Sequence, residues 1–186
     1  MGRTITSLDD PEFSRPFREF RYTAYRLEAL QRYTVPSEEA PFERFQAGEE
    51  RGAFPGIAQW IDETIAPAVA EGRRLHRVHV VELPVSDYVR FEAAWAYAHT
   101  AAAGEEIRIL PVEQGEWPAE LPHYDYWLFD SRSLLSMYYD DDGRFVSARY
   151  EDDPELIVRA NHWRDIAVTL SVPYRDFAET LVSSPA

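Results

Sequence analysis

Short runs of apolar residues along the chain predict the strands of a sheet. In AYRLEAL the apolar residues alternate with Arg26 and Glu28, as in a half-buried strand, so these two charged side chains share one face. The longer apolar run LHRVHVVEL is typical of a central strand. Further strand-like runs are IRILPV, YWLFD and the two arms of a hairpin that turns at Asp142-Gly143.

Apolar residues at helical spacing predict helices between these strands. We predict a short helix from about Pro16, and a helix from Gly56 to Gly72 that Pro67 interrupts. We also predict a C-terminal helix that Asp153 caps, with Pro154 in its first position.

A further helix begins at Pro84, Ser86 and Asp87 and ends at Gly104. Its predicted core face carries Tyr88, Phe91, Trp95 and His99, and its second face carries Asp87, Arg90, Ala94 and Tyr97. The order of elements predicts an α/β or α+β fold with a mixed sheet of about five to six strands and helices on both faces.

Length and composition favour one soluble domain over residues 1–186, with a flexible N-terminal arm at 1–15 and a surface excursion at 36–56. Hydrophobic residues make up 45% of the chain, which excludes a disordered protein. No apolar run is long enough for a membrane span, no secretory signal opens the chain, and there is no cysteine. We therefore expect a cytoplasmic protein.

The net charge of −14 repels phosphate backbones, so we expect no direct binding to nucleic acid. All 19 basic residues are arginine. GC-rich coding would explain this, and so would a use of arginines as planar, always-charged forks for carboxylate or phosphate. The lack of lysine excludes Schiff-base catalysis and the Walker and kinase lysines.

Three apparent motifs do not carry chemistry. His76 and His79 are three apart on a strand, so they point to opposite faces and cannot bind one metal ion. The run from Asp140 to Gly143 lacks the ligand spacing and closing glutamate of a calcium loop. Ser86 lacks the GxSxG elbow of a hydrolase. We predict no metal, no cofactor and no catalytic residue.

Charged and aromatic residues on or beside the predicted buried elements are the candidates for a binding site. They are Arg26, Glu28, Arg77, Ser86, Tyr88, Arg90, Glu92, Asp125, Trp127 and Asp130. One interpretation is that they form structural ion pairs at the rims of the sheet. In the other, the arginines line a cleft for an anionic small molecule or a partner's carboxylate, with Tyr88 and Trp127 as stacking walls.

Several segments of the chain together carry a resemblance to a known family. They are AYRLEAL, RRLHRVHVVELPVSDYVRFE, AAGEEIRIL, LPHYDYWLFD, YYDDDGRF and a terminal helix with Trp163-Arg164-Asp165. With these segments the chain resembles an actinobacterial family, domain of unknown function family 6879. The resemblance extends from about Phe17 to Phe177. Members of that family are often encoded near helix-turn-helix regulators of the xenobiotic-response type, which implies a role beside transcription regulation.

The order of strands, hairpin and final helix also resembles a single lobe of the phospholipase D fold. Enzymes of that superfamily need a His-x-Lys pair, and this chain has no lysine. The resemblance therefore implies a lobe without phosphodiesterase activity, used as a binding module.

These observations lead to a non-catalytic, cytoplasmic regulatory domain that binds a helix-turn-helix regulator and a small anionic ligand. The alternative is an enzyme acting on a nucleotide or other phosphorylated substrate, in which Arg77 and Arg90 clamp the anion and Glu92 or Asp125 is the base. The acidic charge also leaves open the antitoxin side of a toxin–antitoxin pair.

Overall fold

A mixed eight-stranded sheet organises the computed structural model, which describes residues 3–52 and 54–183. The strands are β1 (Thr4–Ile5), β2 (Thr23–Glu28), β3 (Arg74–Leu83), β4 (Glu106–Glu113), β5 (Asp125–Phe129), β6 (Ser133–Tyr139), β7 (Phe145–Glu151) and β8 (Val172–Pro173). Their order across the sheet is β1-β7-β6-β5-β2-β3-β4-β8. Strands β2, β3 and β4 are parallel, and the other neighbours are antiparallel.

The mixed α/β fold is confirmed, with more strands than predicted. The additional strands β1 and β8 have two residues each, which is too short to produce a recognisable alternation. The predicted strands and the hairpin at Asp142-Gly143 are all present, because their alternation or apolar character extends over five residues or more.

Helices cover both faces of the sheet. They are α1 (Pro11–Glu19), α2 (Glu39–Gln46), α3 (Pro55–Trp60), α4 (Ala66–Ala70), α5 (Asp87–Phe91), α6 (Ala98–Ala102), α7 (Pro154–Leu170) and α8 (Tyr174–Ser183). A 3₁₀ turn at Pro36–Glu38 precedes α2. π-Helical segments at Ile61–Ile65 and Glu92–Tyr97 join α3 to α4 and α5 to α6. None of the helices in the described ranges is long and apolar enough to cross a bilayer.

Helix α7 packs on one face of the sheet, where Ala160 and Ala167 are buried against Tyr25 and Val78. The opposite face is covered by the helices between β2 and β4 and by α1. This second face includes Arg26, and it forms the floor of the candidate site described below.

The N-terminal segment differs from its prediction. Helix α1 begins at Pro11, not at Pro16, because Asp10 caps it by accepting a hydrogen bond from the Glu12 amide at 2.9 Å. Residues 1–15, predicted as a flexible arm, contain β1 and the first turns of α1. The side chain of Ile5 is only 1% exposed within the apolar core, so this part of the arm is packed.

The two π-helical segments change which side chains face the sheet. Pro67 cannot donate to the carbonyl of Glu63, and the backbone just before it widens into the first π segment, in line with the predicted interruption. The second π segment shifts the helical phase after Glu92. An uninterrupted α-helix would place His99 on the core face and Tyr97 on the second face. In the structure Tyr97 is buried and His99 is only half-buried.

Candidate functional site

A cavity of about 520 Å³ lies over the second face of the sheet. Strands β2 and β3 form its floor, the π segment at Glu92–Tyr97 forms one wall, and residues 34–39 form a roof. Aromatic rings dominate the walls; they include Tyr33, Trp60, Tyr88, Tyr97, Trp127 and Tyr139.

The parallel register of β2 and β3 brings four polar residues together in the floor. Arg26 lies beside Arg77, and Glu28 lies beside His79. Alternation along each strand sends all four side chains to the same face. This placement follows from the strand pattern once the pairing of β2 with β3 is known.

Glu28 is the centre of the charged floor and is only 2% exposed. Its carboxylate lies 3.0 Å from the guanidinium of Arg77 and 3.2 Å from that of Arg26, and it accepts a hydrogen bond from the Tyr97 hydroxyl at 3.0 Å. Burial alone would raise the pKa of Glu28, but the two arginines outweigh it and hold the pKa at about 2. Glu28 is therefore ionised throughout the physiological range.

Further carboxylates complete the coordination of both arginines. Arg26 donates to Asp125 at 2.9 Å, and Asp125 also accepts hydrogen bonds from the Tyr33 hydroxyl and the Ala29 amide. Arg77 donates through Nε to Glu105 at 2.8 Å. Both guanidiniums also contact Glu28. Each of them therefore contacts two carboxylates of the protein: Arg26 contacts Glu28 and Asp125, and Arg77 contacts Glu28 and Glu105.

His79 is buried in the same network and its protonation is set by its neighbours. Its Nε2 lies 2.7 Å from the carbonyl oxygen of Leu30, which requires a proton on that nitrogen. Burial lowers the pKa of His79, so the neutral ring presents Nδ1 as an acceptor, 2.8 Å from the Tyr97 hydroxyl. The single hydroxyl proton of Tyr97 therefore lies between two acceptors, His79 and Glu28.

Glu92 and Glu38 also line the cavity, and neither forms an ion pair with an arginine of the described residues. Glu92 is 6% exposed, and its Oε2 has no hydrogen-bond partner among the described residues. Burial, reinforced by the charges of Glu28 and Glu38, raises the pKa of Glu92 well above its ordinary value. Glu38 in the roof accepts a close hydrogen bond from the Tyr88 hydroxyl, and burial raises its pKa as well.

The candidate residues divide into two groups. Those that line the cavity are Arg26, Glu28, Arg77, Tyr88, Glu92 and Trp127, and Asp125 lies directly behind Arg26. Ser86, Arg90 and Asp130 are not part of the lining. Arg77 and Arg90 therefore do not form the anion clamp of the enzyme hypothesis.

Ser86 and Asp130 have structural contacts instead. The Ser86 hydroxyl caps α5 by accepting from the Val89 amide at 3.2 Å, and it donates to the carbonyl of Gln31 at 2.8 Å. Asp130 has a positive φ of 50° and accepts hydrogen bonds from the backbone amides of residues 21–23 at 2.7 to 3.2 Å. These amides lower the pKa of Asp130 against the effect of burial.

Several residues of the site were not predicted from the sequence, namely Tyr33, Glu38, His79, Tyr97 and Glu105. Tyr33 and Glu105 lie in connections between elements and Glu38 lies in the short 3₁₀ turn, where no periodicity indicates direction. Strand alternation could have identified His79, because it shares a face with Arg77, and His76 lies on the opposite face, as predicted. Among the described residues there is no cluster of three or more metal-ligating side chains.

The segment 36–56, predicted as a surface excursion, packs on the aromatic wall through Phe42 and Phe45. Phe42 lies 5.3 Å from Phe91 between ring centroids, and Phe45 lies 5.7 Å from the same ring. The start of this segment lines the cavity, so it is a covering layer of the site.

The chain is similar to several solved structures. A phospholipase D family member, Nuc from Salmonella typhimurium, aligns with a TM-score of 0.53 at 11% identity, over 94% of this chain and 97% of that chain. NucT from Helicobacter pylori aligns with a TM-score of 0.48 at 9% identity, over 93% and 98% of the two chains. TrmBL2, an archaeal chromatin protein, aligns with a TM-score of 0.47 at 8% identity, over 92% of this chain and 54% of that one.

The similarity to Nuc confirms the predicted likeness to the phospholipase D fold, and at this identity it concerns the fold alone. No curated protein matches the chain. The sequence model of one family, described as a domain of unknown function (DUF6879), matches residues 11–179. The chain therefore belongs to the DUF6879 family.

Proposed function

We propose that this chain is a non-catalytic regulatory domain that binds a small molecule in the cavity and acts on a protein partner, a helix-turn-helix transcription regulator. The observation that carries this proposal is the cavity itself. Ligand pockets usually enclose roughly 300–1,000 Å³ and combine apolar walls with a few fixed polar groups. The cavity of about 520 Å³, with aromatic walls above the charged floor, has these properties.

The floor supports a binding role because its side chains are held before any ligand arrives. Arg26, Glu28 and Arg77 are fixed by mutual contacts of 3.0 to 3.2 Å. The hydroxyl of Tyr97 donates a hydrogen bond to Glu28, and the hydroxyl of Tyr33 donates one to Asp125. A ligand would not have to order these groups, which lowers the entropic cost of binding.

The histidines of β3 support the non-catalytic part of the proposal. Phosphodiesterases of the phospholipase D superfamily need a lysine two residues after a histidine. Here Val78 follows His76 and Val81 follows His79 at that spacing. His79 is also fully buried, with both ring nitrogens within hydrogen-bonding distance of protein atoms.

The roof connects the cavity to an acidic surface. Thr34 lines the cavity, donates through its amide to the carbonyl of Gly143 at 2.9 Å, and donates through its hydroxyl to the carbonyl of Asp142 at 2.6 Å. This hairpin tip also carries Asp140 and Asp141, which are exposed. An acidic tip complements a basic DNA-binding partner, so we propose it as the contact through which a ligand alters partner binding.

A cavity-filling variant tests the ligand-binding part. Ala96 lines the cavity, whereas Ala94, in the same π segment, is exposed. Protein isolated from the organism that encodes it should carry a ligand detectable by native mass spectrometry. Ala96→Leu should lose the ligand while remaining folded, and Ala94→Leu should retain it. Equal retention by both variants would contradict binding in this cavity.

Affinity capture at low salt, followed by mass spectrometry, tests the partner. We expect a helix-turn-helix protein whose binding weakens as salt rises, because exposed charge pairs are screened. Asp141→Asn should weaken the complex more than Glu116→Gln, which removes the same charge from the loop before β5. Binding that is equally strong at low and high salt would rule out the electrostatic contact.

A further inference from the structure

The charges of the cavity floor do not favour an anionic ligand. Arg26 and Arg77 are in contact with three carboxylates, those of Glu28, Asp125 and Glu105. The two positive charges are therefore already outnumbered by their own partners. An anion entering the cavity would have to displace one of these carboxylates or approach a floor with excess negative charge.

Glu92 provides a vacant position for a cation. Its carboxyl group lines the cavity, is almost completely buried, and has an oxygen without a hydrogen-bond partner among the described residues. The nearest basic group is Nδ1 of His79, at 3.6 Å, and the neutral ring of His79 brings no positive charge. Buried polar atoms of this kind usually find a partner, and here the open side is the cavity.

The aromatic walls suit the same class of ligand. Electron-rich rings attract cations that lie over their faces within about 6 Å. The guanidinium of Arg26 already lies 5.5 Å from the ring centroids of both Tyr33 and Trp127. In addition, the indole Nε1–H of Trp60 is buried and has no acceptor among the described residues, so a ligand with one polar acceptor would satisfy it.

The backbone at Glu92 is also unusual. Glu92 begins the π-helical segment that continues to Tyr97, and both residues line the cavity. Single π-helical turns inside helices occur frequently at functional sites. In this chain the π segment directs both Glu92 and Tyr97 into one cavity.

From these observations we infer that the cavity binds an organic cation, a protonated amine on an aromatic or cyclic apolar body, with Glu92 as its counter-ion. The inference rests on the proposed function and adds the chemical class of the ligand. It replaces the anionic ligand expected from the arginines alone, because those arginines are neutralised within the floor.

Cation binding at Glu92 is coupled to a proton. Charged and titratable groups surround Glu92 on several elements. They are Glu28, His79, Arg26 and Arg77 in the floor, Glu38 in the roof, and Tyr88 and Tyr97 on its own helical segment. In the free protein this environment favours the protonated carboxyl, and a bound ammonium group would favour the ionised form. Binding should therefore release a proton, and affinity should rise with pH until the pH exceeds the pKa of Glu92 in the free protein.

Matched compounds test the inference directly. We would titrate the protein with the amine, alcohol and carboxylic acid of three apolar bodies: 2-phenylethylamine, 2-phenylethanol and phenylacetate, and the corresponding indole and naphthalene sets. The amines should bind about tenfold more tightly than the alcohols, as expected for a hydrogen bond to a charged group, and the acids should bind least. Glu92→Gln should abolish the preference for amines, and the exposed Glu106→Gln should leave it unchanged.

Calorimetry on the wild-type protein gives a readout that does not depend on a variant folding. Titration of the amines in two buffers of different ionisation enthalpy should reveal the released proton. Tighter binding of acids or alcohols, or a preference for amines that survives in Glu92→Gln, would overturn the cation inference and leave the ligand-binding function standing. If none of the nine compounds bound and no ligand accompanied the native protein, both proposals would fail.

Discussion

Removal of the Glu28 charge should destabilise the protein more than removal of any exposed carboxylate. Glu28 is buried between two guanidiniums, 3.0 Å from Arg77 and 3.2 Å from Arg26. Glu28→Gln keeps the shape of the side chain but leaves both arginines with one carboxylate fewer in a dry environment. Breaking a buried pair in this way costs about 3–5 kcal/mol.

The lowered pKa of Glu28 expresses the same stabilisation in a second way. The folded state lowers it from 4.5 to about 2. At about 1.4 kcal/mol per pKa unit, this corresponds to about 3 kcal/mol of stability. Because the folded pKa is depressed, the contribution is complete above the unfolded pKa and is lost as the pH falls through the folded value.

Urea unfolding followed by tryptophan fluorescence measures the effect, with Glu106→Gln as the control. Glu106 forms an ion pair with Arg74 at 2.6 Å, but the two side chains are 43% and 50% exposed. Exposed ion pairs contribute about 0–1 kcal/mol to stability, so Glu106→Gln should lower the free energy of unfolding only slightly. The difference in free energy of unfolding between the wild type and Glu28→Gln should also decrease as the pH is lowered from about 5 to about 2. Similar losses in the two variants at pH 7 would refute the buried network as a source of stability.

Other expectations follow from the contacts around the site. Asp130→Ala should lower the free energy of unfolding by about 2–3 kcal/mol, since three backbone amides lose a charged acceptor. Because the pKa of Asp130 is lowered in the folded state, the stability advantage of the wild type should shrink as the pH falls below the ordinary pKa of an aspartate. Chemical denaturation at pH 7 and pH 3 checks both points, and an equal deficit at the two pH values would contradict them. Ser86→Ala should cost about 1 kcal/mol through loss of the α5 cap, measured as a lower melting temperature. Arg90→Ala should leave ligand affinity unchanged in calorimetry, because Arg90 does not line the cavity; a loss of affinity in this variant would show that Arg90 belongs to the site after all.

Local sequence patterns were sufficient for the elements that are long and regular. Strand β3 and helix α7 each carry a hydrophobic pattern over at least ten residues. Asp142-Gly143 identifies the hairpin because tight hairpin turns strongly favour the Asp-Gly pair. Alternation on β2 also predicted correctly that Arg26 and Glu28 share a face. These features depend on neighbouring residues alone.

The site itself depends on pairings that no local pattern contains. Asp125 contacts Arg26 because β5 pairs with β2, which lies about a hundred residues earlier in the chain. Neither the sequence of β2 nor that of β5 contains a pattern that predicts this pairing. Arg90 and Tyr97 were misplaced for a different reason. Both were assigned to one helical face, but the π segment changes the phase between them, and its position is set by packing that periodicity does not reveal.

The position of β2 in the centre of the sheet has a consequence for how the chain folds. Strand β2 is synthesised early, yet one of its neighbours, β5, follows about a hundred residues later, and β1 can pair only after β7 has been made. Until β5 docks, Arg26 lacks Asp125 and the backbone edge of β2 on that side is unpaired. Such distant pairings slow folding and keep the emerging chain dependent on its C-terminal half. A fragment that ends before residue 125 should therefore remain prone to aggregation rather than form a smaller binding domain.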